Sequence, residues 1–260
     1  MSDRIELDIR EGVAYATLSR PEKLNALDFP LLDALAQVPA RIAADRSVRA
    51  VILRGAGEAF CSGLDFASTG KDTRRLVTGF AKLPVQTTNL FQKACWAWRE
   101  LPVPVLLHGH CYGGGMQLAL AADFRFTTPD CRLSIMEAKW GLIPDMTGSV
   151  TLRELIPMDL AKYLTMTAEV FDGTQAKEYG LVTGVSDDPL ATAEALVDKL
   201  RHRSPDAIAA TKKLFHDTWT ESPRSAFWTE SVLQARLITG KNHRIARKAE
   251  ENPDWSPRAL

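Results

Sequence analysis

Residues 109–126 read GHCYGGGMQLALAADFRF. A short apolar run over residues 103–108 precedes them and predicts a strand. Three consecutive glycines, Gly113, Gly114 and Gly115, then open an apolar helix beginning MQLALAAD. Glycine has no Cβ to cover its N–H, and a helix N-terminus favours negative charge. Upstream, FCSGLD (60–65) follows a second strand, over 48–53, that ends at Gly55-Ala56-Gly57. Both segments set small residues at the C-terminal end of a strand. Two readings stay open: tight helix–strand packing, or two main-chain donors converging on an oxygen that gains charge. The alternation of strand and helix signals predicts α/β layering.

The pattern extends outward from these segments. Residues 4–10 and 13–19 alternate apolar and polar positions around Glu11-Gly12, which predicts a β-hairpin. A helix is predicted over 28–44, with Asp28 as N-cap, apolar positions at Leu31, Leu32, Leu35 and Val38, and a kink at Pro39. A second helix is predicted over 86–100, with Trp96 and Trp98 on opposite sides and mainly a core role. Residues 66–83 carry no strong pattern and read as a mobile loop or frayed helix. From about residue 187 the chain reads as helical, with Ser204-Pro205 and Ser222-Pro223 as helix starts.

Composition narrows the function classes. A chain of 260 residues suits one large domain, or a domain with a helical appendage. Hydrophobic residues at 45% and charged residues at 25% are ordinary for a globular protein. Lys plus Arg (32) cancels Asp plus Glu (32), which argues against nucleic acid as the main partner. Cys61, Cys95, Cys111 and Cys131 lie far apart, so neither structural zinc nor a disulfide framework is expected. The segment MSDRIELDIREG has no apolar signal core, and no stretch reaches the ~18 apolar residues of a membrane span. A cytoplasmic enzyme is the expectation. Neither GxGxxG nor GxxxxGK[ST] occurs at the glycine segments. His108 and His110 lack a carboxylate partner at useful spacing and read as packing or hydrogen-bonding residues. Cys61 and Ser62 read as structural, because no Ser-His-Asp order supports a nucleophile.

Four blocks carry a specific resemblance: RPEKLNAL (20–27), GAGEAFCSGLDF (55–66), GHCYGGGMQLALAADFRF (109–126) and MEAKWGLIPDMTGSVTL (136–152). In order and interval they resemble the signature blocks of the enoyl-CoA hydratase/isomerase, or crotonase, superfamily. The resemblance is strong over about residues 4–185 and weak beyond. It implies an α/β fold, a crotonase-like spiral of ββα units over 1–190, with a helical region over 191–260 for trimerisation and CoA contact. It also implies a homotrimer or dimer of trimers, an acyl-CoA thioester as substrate, and no cofactor or metal. The implied oxyanion donors are the main-chain N–H groups of Leu64 and Gly114. The implied substrate-binding positions are Lys23, Leu24, Ala26, Ser62, Gly63, Asp65, Phe66, Tyr112, Gly113, Gln117, Met136 and Leu142. Lys212, Lys213, Lys241, Arg244, Arg247 and Lys248 read as a solvated face, although in this family basic residues from that region meet the CoA 3′-phosphate.

The resemblance also points to the proton chemistry, where this sequence departs from the family pattern. Hydratases of the family use two glutamates; here Gln117 stands at the first place and Glu137 at the second. A glutamine amide has no proton to exchange near neutral pH, so two-carboxylate hydration is not the simple expectation. Asp145 lies eight residues after Glu137, where it resembles the aspartate of dienoyl-CoA isomerases. Enoyl-CoA isomerases rely mainly on one glutamate at the Glu137 place. Ile135, Met136 and Trp140 flank Glu137 and predict an apolar setting that raises its pKa. The expectation is an isomerase with Glu137 as acid/base and Asp145 assisting. A hydratase with a rearranged pair and a non-catalytic acyl-CoA-binding relative are the alternatives. Asp145 could instead cap a helix starting near Met146.

Overall fold

The structure is a computed structural model that describes residues 4–101, 105–108, 111–248 and 253–259. The side chains of His108 and His110 lie outside the described residues. Strands β1 (Ile5–Arg10) and β2 (Val13–Leu18) pair antiparallel, with Ile5 opposite Leu18 and Arg10 opposite Val13. The turn residues Glu11 and Gly12 have φ of 51° and 74°, the left-handed pair that a two-residue hairpin requires.

Helix α1 (Phe29–Ala44) starts where Asp28 accepts from the Leu31 N–H at 2.9 Å. Pro39 sits inside it without ending it. Strand β3 (Ala50–Gly55) then runs parallel to β2, starting two residues later than the apolar run suggests. The stretch expected as a loop holds two short helices, α2 (Phe66–Thr69) and α3 (Thr73–Phe80). Their cause is local: Asp65 accepts from the Ser68 N–H and Asp72 from the Arg75 N–H. Helix α4 (Leu90–Arg99) begins after residue 86 because Asn89 and Gln92 form a capping box there.

Strand β4 (Val105–His108) leads to β5 (Cys111–Tyr112), α5 (Gly114–Leu120), β6 (Phe124–Thr127) and β7 (Leu133–Ser134). Helices α6 (Gly148–Leu155), α7 (Met158–Thr167) and α8 (Gly173–Glu178) follow, then β8 (Gly184–Val185) and α9 (Pro189–Arg201). The remaining helices are α10 (Pro205–Thr218), α11 (Pro223–Thr239) and α12 (Lys241–Ala246). As the Ser-Pro pairs predict, Ser204 and Ser222 cap α10 and α11 with proline in the first turn.

The main sheet has the order β1-β2-β3-β4-β6-β8, parallel from β2 onward, and β5 pairs with β7 in a second, two-stranded sheet. Strands β2 and β3 are buried on both faces, so their residues divide alternately between two cores. Ala14, Ala16, Leu18, Val51 and Leu53 join α1 and α4 in the larger core. Val13, Tyr15, Ala50 and Ile52 face the other way with Ala193 and Val197 of α9. Trp98 is fully buried in the larger core, and Trp96 is partly exposed.

One basic residue departs from the solvated face expected of it. Lys212 is buried, and its ammonium binds Asp123 Oδ2 at 2.7 Å. The carboxylate opposite, remote in sequence, makes that burial affordable. The C-terminal stretch returns to α1: the buried Arg258 guanidinium donates to Ala43 O at 2.6 Å and Val48 O at 3.1 Å. Among the described residues, no helix is long and apolar enough to cross a membrane.

Candidate active site

The two glycine segments meet. Leu27 N–H donates to Gly63 O at 2.8 Å, Asp65 N–H to Leu27 O at 3.1 Å, and Tyr112 N–H to Cys61 O at 3.1 Å. Cys61 and Cys111 form a parallel bridge between the segments. Two glycines permit this approach. Gly63 has φ of +91°, and a Cβ there would lie 2.9 Å from Tyr112 O and 3.6 Å from Gly114 N. A Cβ on Gly115 would lie 2.3 Å from Cys61 O. At both positions the missing Cβ is what lets the two loops pack against each other. Among the described residues, no acceptor takes a hydrogen bond from the N–H of Leu64 or of Gly114.

The 20–27 segment is clamped onto the same loop. Asn25, fully buried at φ 54°, accepts from the Arg20 N–H at 2.8 Å. Its amide donates to Ala56 O at 2.9 Å and Ala59 O at 2.7 Å. Arg20 donates to Ala26 O at 2.9 Å and to Asp65 Oδ2 at 2.8 Å. Burial alone would raise the Asp65 pKa, but the Arg20 hydrogen bond, the Ser68 N–H and the charges of Arg20 and Lys23 outweigh it and lower it. Asn25 and Arg20 hold the site's loops together, although sequence reasoning gave neither a role. Their signal was present in the RPEKLN block, as a cation and a turn-forming amide beside a loop. Lys23 and Leu24 are exposed, and Ser62 hydroxyl donates to Lys23 O at 3.3 Å.

The carboxyl groups come from the last block. Glu137 begins a short 3-10 turn, Glu137–Trp140, and is only 7% exposed. Gln117, on α5 and 1% exposed, donates from Nε2 to Glu137 Oε1 at 2.6 Å. Gln117 Oε1 accepts from Met146 N–H at 2.8 Å and Gly148 N–H at 3.0 Å. Among the described residues, the buried Glu137 Oε2 has no hydrogen-bond partner. Burial raises the Glu137 pKa, the Gln117 hydrogen bond and the main-chain N–H of Glu137 itself oppose the rise, and the charge of Asp145 adds to it. The position of Gly113 is also close: a Cβ there would lie 3.7 Å from Glu137 Oε1.

Asp145 is partly buried, which raises its pKa, while its own backbone N–H opposes the rise. It does not cap a helix. Helix α6 starts at Gly148 with Thr147 at its cap position and without a side-chain cap, so the capping reading is set aside. The apolar flank also differs from expectation. Ile135 is fully buried and Met136 partly so, but Trp140 is 58% exposed. Trp140 packs on Phe66, with ring centroids 5.2 Å apart, bridging the two site segments. Leu142, with an exposed side chain, donates its N–H to Glu137 O at 3.0 Å and closes the turn. A cavity of about 700 Å³ between Trp96, Arg153, Lys213 and Arg236 contains none of the loop residues that meet around Glu137. Size alone does not identify the reactive place in this molecule.

Comparisons with known proteins give the family of the chain. Residues 8–256 match the family model described as enoyl-CoA hydratase/isomerase. The chain is 31% identical over 225 residues to carnitinyl-CoA dehydratase of Shigella flexneri, covering 84% of this chain and 82% of that one. It is 29% identical over 215 residues to (E)-benzylidenesuccinyl-CoA hydratase of Thauera aromatica, covering 80% of each. The crystal structure of enoyl-CoA hydratase from Bacillus anthracis superimposes with a TM-score of 0.88 at 26% identity, over 98% of this chain and 100% of that one. With a matching architecture and a family model over nearly the whole chain, this protein belongs to the enoyl-CoA hydratase/isomerase family and has the crotonase fold.

Proposed function

We propose that this enzyme shifts the double bond of an enoyl-CoA thioester, with Glu137 moving the proton. The observation that carries the reading is the carboxyl set. Gln117 fills the place of a second glutamate and both ends of its amide are engaged, whereas Glu137 keeps one buried oxygen without a partner among the described residues. In a 3-enoyl thioester, Glu137 takes a proton from the α-carbon and the electrons of that C–H bond pass into a dienolate. The thioester oxygen gains charge and receives hydrogen bonds from the Leu64 and Gly114 N–H groups. The proton then returns at the γ-carbon, giving the conjugated 2-enoyl thioester. Asp145 assists by keeping the Glu137 carboxyl protonated between steps.

In this reading the CoA moiety lies along Lys23, Leu24, Ala26 and the 62–66 segment. The acyl chain passes between Tyr112, Met136 and Leu142. The helices of residues 191–260 serve trimer assembly and reach toward CoA, which sedimentation with and without acyl-CoA checks. A second reading has support from the relatives, which are named hydratase and dehydratase. There Glu137 and Asp145 would act together on water. Absorbance of the conjugated enoyl thioester separates the two: isomerisation of a 3-enoyl-CoA creates the band, and hydration of a 2-enoyl-CoA removes it. Glu137→Gln should reduce turnover about 10²–10⁴-fold, the usual worth of an acid/base group. Unchanged turnover in that variant would remove the assignment. Tight acyl-CoA binding without turnover of any chain would favour a binding protein.

A further inference from the structure

We infer that Gln117 is a positioning residue that fixes which oxygen of Glu137 carries the exchangeable proton: its amide reserves Oε1 as an acceptor and leaves Oε2 for transfer. The inference rests on the reading of Glu137 as acid/base and adds the atom through which it works. A glutamine amide can usually be turned over without visible consequence, because its two ends look alike. Here the surroundings decide. Met146 N–H at 2.8 Å and Gly148 N–H at 3.0 Å both point at one atom of the amide, and only an oxygen can accept from both. The other end is therefore the NH₂ group, 2.6 Å from Glu137 Oε1.

The two donors converge because Thr147, between them, has φ of 83° and ψ of 0°. A left-handed residue between two ordinary ones turns successive N–H groups toward one point, an arrangement that holds partial or full negative charge. With an N–H facing Oε1, a proton on that oxygen would meet another hydrogen. Neutral Glu137 therefore carries its proton on Oε2, the buried oxygen without a partner among the described residues. A carboxylate turned over is unchanged, so the position beside the Gln117 amide stays the acceptor and the opposite position serves each transfer.

Gln117→Glu separates positioning from support. One carboxylate oxygen of the new side chain can still accept from Met146 and Gly148, so the turn keeps its partner. The other oxygen brings negative charge where Glu137 now has a donor. Among the described residues, the titratable groups that interact with Glu137 are Asp145 and the buried thiol of Cys95, which in turn neighbours the thiol of Cys61. Burial holds both thiols in the neutral form, with Cys61 raised to about 12. Neither thiol masks the effect.

Two measurements test the inference. In Gln117→Glu, the pH profile of kcat/KM and the ¹³C titration of the Glu137 carboxyl should both move upward, by at least tenfold in proton affinity. Profiles that overlay those of the unchanged protein, with the thermal midpoint preserved, would overturn it. In the unchanged protein, the ¹⁵N-labelled side-chain amide of Gln117 should titrate with the same midpoint as the Glu137 carboxyl. This second measurement does not depend on a variant folding, and an amide resonance that stays flat through that midpoint would also overturn it. The two failures stay separate: turnover by Glu137→Gln removes the acid/base reading, while a flat amide signal with that variant inactive removes this assignment alone.

Discussion

The guanidinium of Arg20 lies 2.8 Å from the carboxylate of Asp65, joining the first signature block to the loop that bears Leu64. Both side chains are largely buried, and Asp65 also caps α2. The pair links loop position to helix start. Because the native Asp65 pKa is lowered, the pair's contribution is fully present above the unfolded value of about 3.9 and is lost as pH falls through the native value. Asp65→Asn should cost about 1.5–3 kcal/mol at neutral pH. Urea unfolding from neutral pH down to below pH 4 checks it: the gap between the two proteins should close toward the acid end.

Glu137 should show the opposite sign. Its native pKa is raised, so the folded state holds a proton that the unfolded state releases. The resulting penalty is absent below the unfolded value of about 4.3 and grows as pH rises through the native value. The difference in thermal midpoint, Glu137→Gln minus the unchanged protein, should therefore increase from acid to neutral pH while turnover falls. A pH-independent difference would mean that burial leaves this carboxyl untouched.

The meeting of the two loops tolerates no added methyl at Gly115. A Cβ there would lie 2.3 Å from a main-chain oxygen of the facing loop, so backbone must move. Gly115→Ala should lower stability by about 1–3 kcal/mol. If the loops separate enough to misplace one donor, kcat should fall a further 10²–10³-fold. Calorimetry and steady-state kinetics on a 3-enoyl-CoA measure both.

Far from these loops, Asp123→Asn should destabilise the fold by about 3–5 kcal/mol, since it takes the carboxylate from a buried ammonium on α10. Lys212→Met combined with Asp123→Asn should recover part of that loss. Denaturant midpoints of the two single variants and the double variant give the coupling energy directly.

Much of this protein is determined by residues near one another in the chain. Apolar alternation specifies the hairpin, continuous apolar runs specify the buried strands, and Asp28, Ser204 and Ser222 mark helix starts through bonds spanning three residues. The four signature blocks also suffice to identify the family and to single out Glu137. Other features needed partners that folding brings together. Asp65 and Asp72 turn an unpatterned stretch into two helices, and Asp123 admits Lys212 to the interior from 89 positions away. The flanking residues of Glu137 suggest an apolar setting, but they do not show that Trp140, 58% exposed, packs on Phe66. The orientation of the Gln117 amide was decided only by tertiary structure. Its oxygen is bonded 29 and 31 residues downstream and its nitrogen 20 residues downstream. Hydrogen bonds are short and directional, so such a choice depends on where the fold puts the donors, which local pattern does not encode.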